Sequence, residues 1–350
     1  MNKKVTIQDI ADALGISRNT VSKAINNMDG IANSTKEKIV QKAIEMGYRP
    51  FSYANTLNAV ASQAKEPDQE TNGFQGEIAL LTGGFLNHSH FASLMLDKFQ
   101  QEISRLGYIM NNHRVTEKDI ADQTLPMTVN LKQVKALVCI ELFDWDYGNM
   151  LCSLGIPILF VDGPAKVGGR SLPADQLYMD NTAAVSNFVR DMLAKGLTRI
   201  GFVGEHLHCQ SFFERYSAFL TTMQMAGYPV ENKFVISFNN SEQLRNAIGA
   251  LDELPDVFIC ANDFVGLDAM YALNAVGKQV PEDVLLCGFD DSAESRSCNP
   301  PLTTVHIHTQ TMAYSAVQLL MTRISAPSLD YRYVYTETDL IYRASAPQER

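Results

Sequence analysis

From Ile78 onward the chain repeats one motif, a short apolar run followed by a stretch with helical periodicity. The runs are Ile78-Ala79-Leu80-Leu81, Ala136-Leu137-Val138-Cys139-Ile140, Ile158-Leu159-Phe160-Val161, Ile200-Gly201-Phe202-Val203, Val257-Phe258-Ile259-Cys260 and Val284-Leu285-Leu286-Cys287. They lack the polar alternation of a half-solvated strand, so they read as parallel strands buried on both faces. Phe91 to Leu106, Asn181 to Leu193 and Phe212 to Met225 have the helical spacing of the crossovers that parallel strands require. Such alternation predicts doubly wound sheets, and the roughly 270 residues involved suffice for two lobes.

The first fifty residues carry a different signal. Thr6-Ile7-Gln8-Asp9 has the form of a capping box, with hydroxyl and carboxylate satisfying amides at a helix start. Ile7, Ile10, Ala11 and Leu14 recur at helical spacing, and Gly15 allows the positive φ of a tight turn. Ser17 suits the N-cap of a second helix, with Val21, Ala24 and Ile25 on its apolar face. Ser34-Thr35-Lys36-Glu37 opens a third, which presents Ile39, Ala43 and Met46 and stops at Gly47. Three short helices, the first two joined by a turn of about three residues, predict a helix-turn-helix unit.

Total charge argues against a nucleic-acid partner. The 350 residues include 29 Lys and Arg against 39 Asp and Glu, a net charge of −10, and DNA repels an acidic protein. The partition reverses the argument: residues 1–58 hold 8 basic and 5 acidic side chains, and the remainder 21 and 34. A small basic module on a large acidic body fits that split. Residues 61–76 are mostly polar and read as a flexible linker where the sign changes.

The N-terminus has no apolar signal core and no run approaches 18 apolar residues, so a cytoplasmic protein without a membrane partner is expected. The cysteines at 139, 152, 209, 260, 287 and 298 are scattered, several within apolar runs, as buried free thiols would be. No dinucleotide loop, Walker loop or G-x-S-x-G elbow is present, so catalysis is not expected. A transport-type binding protein would need an export signal.

The run Thr6-Ile7-Gln8-Asp9-Ile10-Ala11-Asp12-Ala13-Leu14-Gly15-Ile16-Ser17, with Thr20-Val21-Ser22-Lys23, Asn26-Asn27 and Gly47-Tyr48-Arg49-Pro50, resembles the LacI/GalR family of bacterial transcriptional repressors. The resemblance continues through Asp180-Asn181, Glu214 to Phe219, Cys260-Ala261-Asn262-Asp263, Val280 to Val284, Gly288-Phe289-Asp290-Asp291 and Pro300 to Thr304, nearly the whole chain. It implies a helix-turn-helix domain at 1–50, a hinge helix at 51–60 and a two-lobed, periplasmic-binding-protein-like body at 77–350. One lobe would take residues 77–178 and 309–330, the other 180–305 and 333–345, with crossings near Tyr178–Asp180, Val305–His308 and Thr336–Ile341.

The resemblance assigns Arg18, Asn19 and Lys23 to base readout in the major groove. The chemistry agrees, because Arg and Lys pair with guanine O6/N7 and Asn with adenine N6/N7. Thr6, Ser17, Thr20, Ser22 and Asn26 are expected to contact phosphates. In the hinge, Ala54 and Leu57 are expected at the minor groove, Leu57 as a wedge that unstacks a base step. Asn55 departs from the Arg usual in relatives.

Asp162, Asn262 and Asp290 each follow a predicted strand, where ligands sit in open α/β sheets. Arg215 corresponds to the family's effector-clamping arginine, and Glu141 and His90 complete the expected effector set. Such groups suit a polyhydroxylated or anionic ligand. Phe143 and Trp145 follow another strand, where they line the cleft or belong to the core. Six of the seven histidines form His-x-His pairs at 88/90, 206/208 and 306/308, a spacing that suits a divalent metal. Nothing else shows metal-ligand spacing, so hydrogen-bonding histidines are the preferred reading, and no metal or cofactor is assigned. The expected protein is a homodimeric repressor on palindromic double-stranded DNA, controlled by a small, sugar-like effector.

Overall fold

The computed structural model describes residues 5–25, 35, 38–39, 42–43, 46, 73–83 and 90–348. The chain divides into two compact units, Met1–Gly73 and Phe74–Arg350.

In the first unit, helix α1 (Ile7–Leu14) begins at the expected capping box. The Thr6 amide donates to Asp9 Oδ2 at 2.8 Å and the Asp9 amide to Thr6 Oγ1 at 3.3 Å. Gly15 ends the helix at φ 65°, a left-handed conformation that glycine takes at no steric cost. Helix α2 (Arg18–Ile25) follows Ser17, whose Oγ accepts from the Thr20 amide at 3.1 Å. Positions 35, 38–39 and 42–43 are helical, and Ile39 and Ala43 share a small core with Ile10, Ala11, Val21 and Ala24. Outside the described residues lie Asn26, the outer members of the 34–37 box, and Ala54 and Leu57 of the hinge.

The second unit alternates strands and helices. Its first half holds β1 (Gly76–Thr82), α3 (His90–Arg105), β2 (Tyr108–Arg114), α4 (Glu117–Asp122), β3 (Val134–Ile140), α5 (Trp145–Cys152), β4 (Ile158–Val161) and β5 (Asp175–Met179). There follow α6 (Ala183–Ala194), β6 (Ile200–Val203), α7 (Gln210–Met225), β7 (Val235–Ile236), α8 (Ser241–Gly249), β8 (Val257–Cys260), α9 (Asp263–Ala275) and β9 (Leu285–Cys287). The chain closes with α10 (Ala293–Ser297), β10 (Thr304–Ile307), α11 (Thr309–Ser325), β11 (Tyr333–Thr336) and β12 (Thr338–Ile341).

Among the described residues the strands form a six-stranded sheet, β11-β5-β4-β3-β1-β2, and a four-stranded sheet, β7-β6-β8-β9. Every pairing in both is parallel. Five of the six apolar runs lie within these strands and the sixth overruns β9 by Val284 alone; three match an observed strand end to end: Ile158–Val161, Ile200–Val203 and Val257–Cys260. Both faces are covered. In β1, Ile78 and Leu80 enter an apolar cluster shared with the second sheet, whereas Ala79 and Leu81 face Tyr147 and Phe160. All six cysteines are free thiols. No helix of the described residues is long and apolar enough to cross a membrane.

The lobes connect after β5 and through β10 and β12, which pair antiparallel with Thr304 opposite Ile341 and Ile307 opposite Thr338. One expected boundary needs correction. Residues 333–345 do not all belong to the second lobe, because Tyr333–Thr336 pairs parallel with Gln176–Met179 at the edge of the first sheet. The cause is Asp175: its carboxylate takes Arg323 Nε at 2.9 Å from α11 and the Arg332 amide at 2.8 Å, pinning the chain beside β5. The Asp175 and Arg323 side chains are 1% and 5% exposed. Replacing one member of so buried a pair strands the other charge. Asp175→Ala should therefore destabilise the body by about 3–5 kcal/mol in urea unfolding, and a loss below about 1 kcal/mol would refute this anchoring role.

Candidate functional site

The described part of the first unit presents a polar surface at the start of α2. Arg18, Asn19 and Lys23 are exposed, while Val21 and Ala24 turn inward. Asn19 and Lys23 are four residues apart and share a helix face. Thr6 and Ser17 are exposed and Thr20 and Ser22 partly so. Thr6, Ser17 and Thr20 are engaged in local bonds, including Ser17 Oγ to Thr20 Oγ1 at 2.8 Å.

In the second unit, the carboxyl ends of strands from both sheets open on a cavity of about 330 Å³. This lies within the ~300–1,000 Å³ of ordinary ligand sites. Glu141 follows β3, Asp162 follows β4, Asn262 follows β8 and Asp290 follows β9, and all four line the cavity with Arg215 of α7. Five of the six effector residues expected from the sequence thus meet in one place. The sixth, His90, opens helix α3, and its side chain lies outside the described structure. Phe91, Ser211 and Phe212, which are not among the expected effector residues, also line the cavity. The last two had a readable signal, standing four and three residues before Arg215 on the same helix. Phe143 lines the cavity as well; Trp145 does not, and lies near Arg170, whose guanidinium carbon is 4.9 Å from the indole centroid.

Backbone conformation marks the three carboxylates. Glu141, Asp162 and Asp290 have φ of 57°, 57° and 119°, values that side chains bearing a Cβ rarely adopt. Such strain persists where surrounding structure enforces it, often at functional sites. The segment leading to Asp290 is closely packed: a Cβ on Gly288 would stand 2.3 Å from Asp263 Oδ1, so only glycine lets the end of β9 approach α9 this closely. Asp162 Oδ1 accepts from the amides of Gly163 at 2.9 Å and Ser211 at 3.2 Å, tying the first lobe to the start of α7. Asn262 caps α9 by accepting from the Val265 amide at 2.9 Å, which leaves its NH2 group to donate.

Arg215 is 2% exposed and held from several sides. Its Nε donates to Asn181 Oδ1 at 3.0 Å and its Nη1 to the Ala261 carbonyl at 2.6 Å. The guanidinium carbon sits 3.5 Å from the centroid of Phe289, and Nη2 is 3.8 Å from Asp290 Oδ1. Burial pushes the Asp290 carboxyl up to about 8 against the pull of Arg215, and the charges of Asp263, Asp162 and Glu141 push the same way. Burial likewise raises Asp162 and holds His208 below the usual imidazole range.

The His-x-His pairs separate in role. His208 packs on Phe143 and Phe212 in the cavity wall, with ring centroids at 4.8 and 5.6 Å. His306 Nδ1 lies 2.9 Å from Asp291 and His308 Nε2 lies 3.1 Å from Asp339, so each meets a carboxylate beside the crossing ribbon. Among the described residues no group of three or more metal-ligating side chains forms a site.

A carboxyl whose folded value stands above its unfolded value of ~3.9 retains its proton in the folded state, so stability falls as pH rises from about 4 towards 8. Asp290→Asn removes that loss. The variant's melting temperature should exceed the wild type's by about 2–6 °C near pH 9 and little near pH 5. Equal differences at both pH values would refute the assignment.

Comparison with known proteins places these features in a family. Residues 6–50 match the model for bacterial regulatory proteins of the lacI family, and residues 189–346 the model for a periplasmic binding protein-like domain. The HTH-type transcriptional regulator CelR of Thermobifida fusca is 27% identical, covering 98% of each chain. The HTH-type transcriptional repressor PurR of Pasteurella multocida is 25% identical over 97% of this chain and 98% of its own. Two solved structures share the fold. A CelR–cellobiose complex has a TM-score of 0.67 at 21% identity, covering 98% of this chain and 100% of that one. The lac repressor dimer bound to operator and the anti-inducer ONPF has a TM-score of 0.66 at 20% identity, covering 99% and 100%. With a helix-turn-helix followed by a two-sheet α/β body and family matches in both, this chain belongs to the LacI family of bacterial DNA-binding transcriptional regulators.

Proposed function

We propose that the protein is a cytoplasmic repressor whose affinity for a palindromic DNA operator is switched by a small, sugar-like effector in the cavity between the two sheets. One observation carries this reading: Glu141, Asp162, Asn262, Asp290 and Arg215, contributed by both sheets and α7, converge on that cavity. A ligand touching both lobes couples its binding energy to the angle between them, and differential affinity for two states, typically about 1–3 kcal/mol, is what a switch requires. Carboxylates, an amide and a guanidinium beside phenyl rings suit hydroxyl groups on an otherwise apolar ring. Two further supports are the name of the similar PurR proteins as repressors and the cellobiose complex among structures of the same fold.

In this reading Arg18, Asn19 and Lys23 read bases, and Thr6, Ser17, Thr20, Ser22 and Asn26 hold the phosphates. Residues 51–60 form the hinge, with Ala54 and Leu57 at the minor groove. Two copies acting together would give the operator its two-fold symmetry. The chemistry is recognition throughout, because the family consists of DNA-binding regulators and not of enzymes.

The DNA arm is tested on a duplex selected by the protein from a random pool. Arg18→Ala should weaken binding by about 1–3 kcal/mol and relax the preference at one base position; unchanged affinity and preference would refute its readout role. The switch is tested by a thermal-shift screen of sugars, sugar phosphates and nucleosides, repeated with that duplex. A stabilising ligand should change DNA affinity by about 5–150-fold, and one that leaves it unchanged would refute the coupling.

A further inference from the structure

We propose that the cavity is built for a ligand bearing a protonated amine, an amino sugar or amino polyol of similar size, in preference to a neutral or a phosphorylated sugar. The proposal rests on the cavity being the effector site. Its wall sets three carboxylates, Glu141, Asp162 and Asp290, against one guanidinium, Arg215. That guanidinium donates Nε to Asn181 and Nη1 to the Ala261 carbonyl, lies against the face of Phe289, and turns Nη2 towards Asp290 at 3.8 Å, so its charge is already answered within the wall. His208, the other basic group in the wall, is held towards its neutral form by burial. Even with Asp290 protonated, Glu141 and Asp162 against Arg215 leave no net positive charge to draw an anion, and Asp290 adds a negative charge where a cation displaces its proton.

Asp290 supplies an independent observation. Its side chain is 6% exposed and lines the cavity, and its ion pair with Arg215 is long at 3.8 Å. Among the described residues no hydrogen bond reaches its carboxyl oxygens. Its carboxyl therefore opens on the cavity with acceptor capacity to spare, and an ammonium answers it with short charge-assisted bonds. Phe91, Phe143 and Phe212 add ring faces, which attract a cation and also accept the C–H face of a sugar.

Binding would carry a proton signature. Burial above all, and then the charges of Asp263, Asp162 and Glu141, against the opposing pull of Arg215, keep the proton on Asp290 near neutrality. An arriving R–NH3⁺ would favour the carboxylate, and the displaced proton would pass to the buffer. The ligand's ammonium keeps its own three protons, so charge and atoms balance.

The test uses the full chain in isothermal titration near pH 6.5, in two buffers of different ionisation enthalpy. Glucosamine, galactosamine and mannosamine are each compared with the parent hexose, the N-acetyl derivative and the hexose 6-phosphate. At least one amine should bind about tenfold or more tightly than its counterparts and release about one proton. Glu141→Gln should reduce the preference for the amine, and Asp290→Asn should abolish the proton release. Three results overturn the proposal: a hexose or phosphate that outbinds its amine, amine binding without proton release, or no binding by any amine. A neutral sugar that binds tightly but is lost in Asn262→Ala would leave the cavity reading standing while the amine preference falls. Binding indifferent to both Asn262→Ala and Phe143→Ala would remove the cavity as the effector site.

Discussion

A buried guanidinium tolerates no neglect, because each of its donors must find an acceptor and its charge must be answered. Arg215 draws its partners from different parts of the body: Asn181 just beyond β5, the Ala261 carbonyl at the end of β8, and Phe289 and Asp290 beyond β9. The ends of both sheets and the first chain crossing are thereby held around one side chain. The cavity is the space left beside it, and the unusual backbone of Asp290 is part of its wall. Moving Arg215 would disturb all of these at once, which is a physical basis for a site that senses its occupant.

The start of α7 is bound to the first lobe by further contacts. The Gln210 amide donates to the Gly163 carbonyl at 2.8 Å, and Gln210 Oε1 accepts from the Lys166 amide at 2.7 Å. One turn on, Glu214 accepts from Asn181 Nδ2 at 2.7 Å, Gln210 Nε2 at 2.8 Å and the Tyr335 hydroxyl at 2.9 Å. Tyr335 belongs to β11 of the first sheet and stacks on Tyr178 of β5, so this network spans the two lobes. Because Arg215 is the next residue along, a ligand that draws on the guanidinium acts on the same turn that joins the lobes. Coupling of this kind is local, and it follows from one helix end serving as wall and bracket together.

Much of this was legible beforehand, for identifiable reasons. A parallel strand buried on both faces must be apolar at every position, so Ile158–Val161, Ile200–Val203 and Val257–Cys260 announced themselves. Residues that follow such strands fall at the mouth of the sheet, which located Glu141, Asp162, Asn262 and Asp290 without coordinates. Strands at or near sheet edges were less visible. Tyr108–Arg114 alternates polar and partly buried positions, and Tyr331, Tyr333 and Tyr335 are all about half exposed. Neither has a continuous apolar run, and the place of β11 beside β5 depends on the Asp175 carboxylate more than 150 residues away in sequence.

The residue string settled the element types, the charge partition, the helix-turn-helix and the list of polar groups at strand ends, because periodicity and capping are local properties. It put residues 333–336 in the wrong lobe, assigned no wall role to Phe91 or Phe212, and was silent on how the cavity's charge is balanced. Those matters depend on distances between chain segments far apart in sequence and on how much water each group loses in folding. Asp290 illustrates the difference. As a letter after a strand it is a candidate ligand-binding acid; enclosed beside Arg215, Asp162 and Asp263, it becomes an acid that keeps its proton near neutrality.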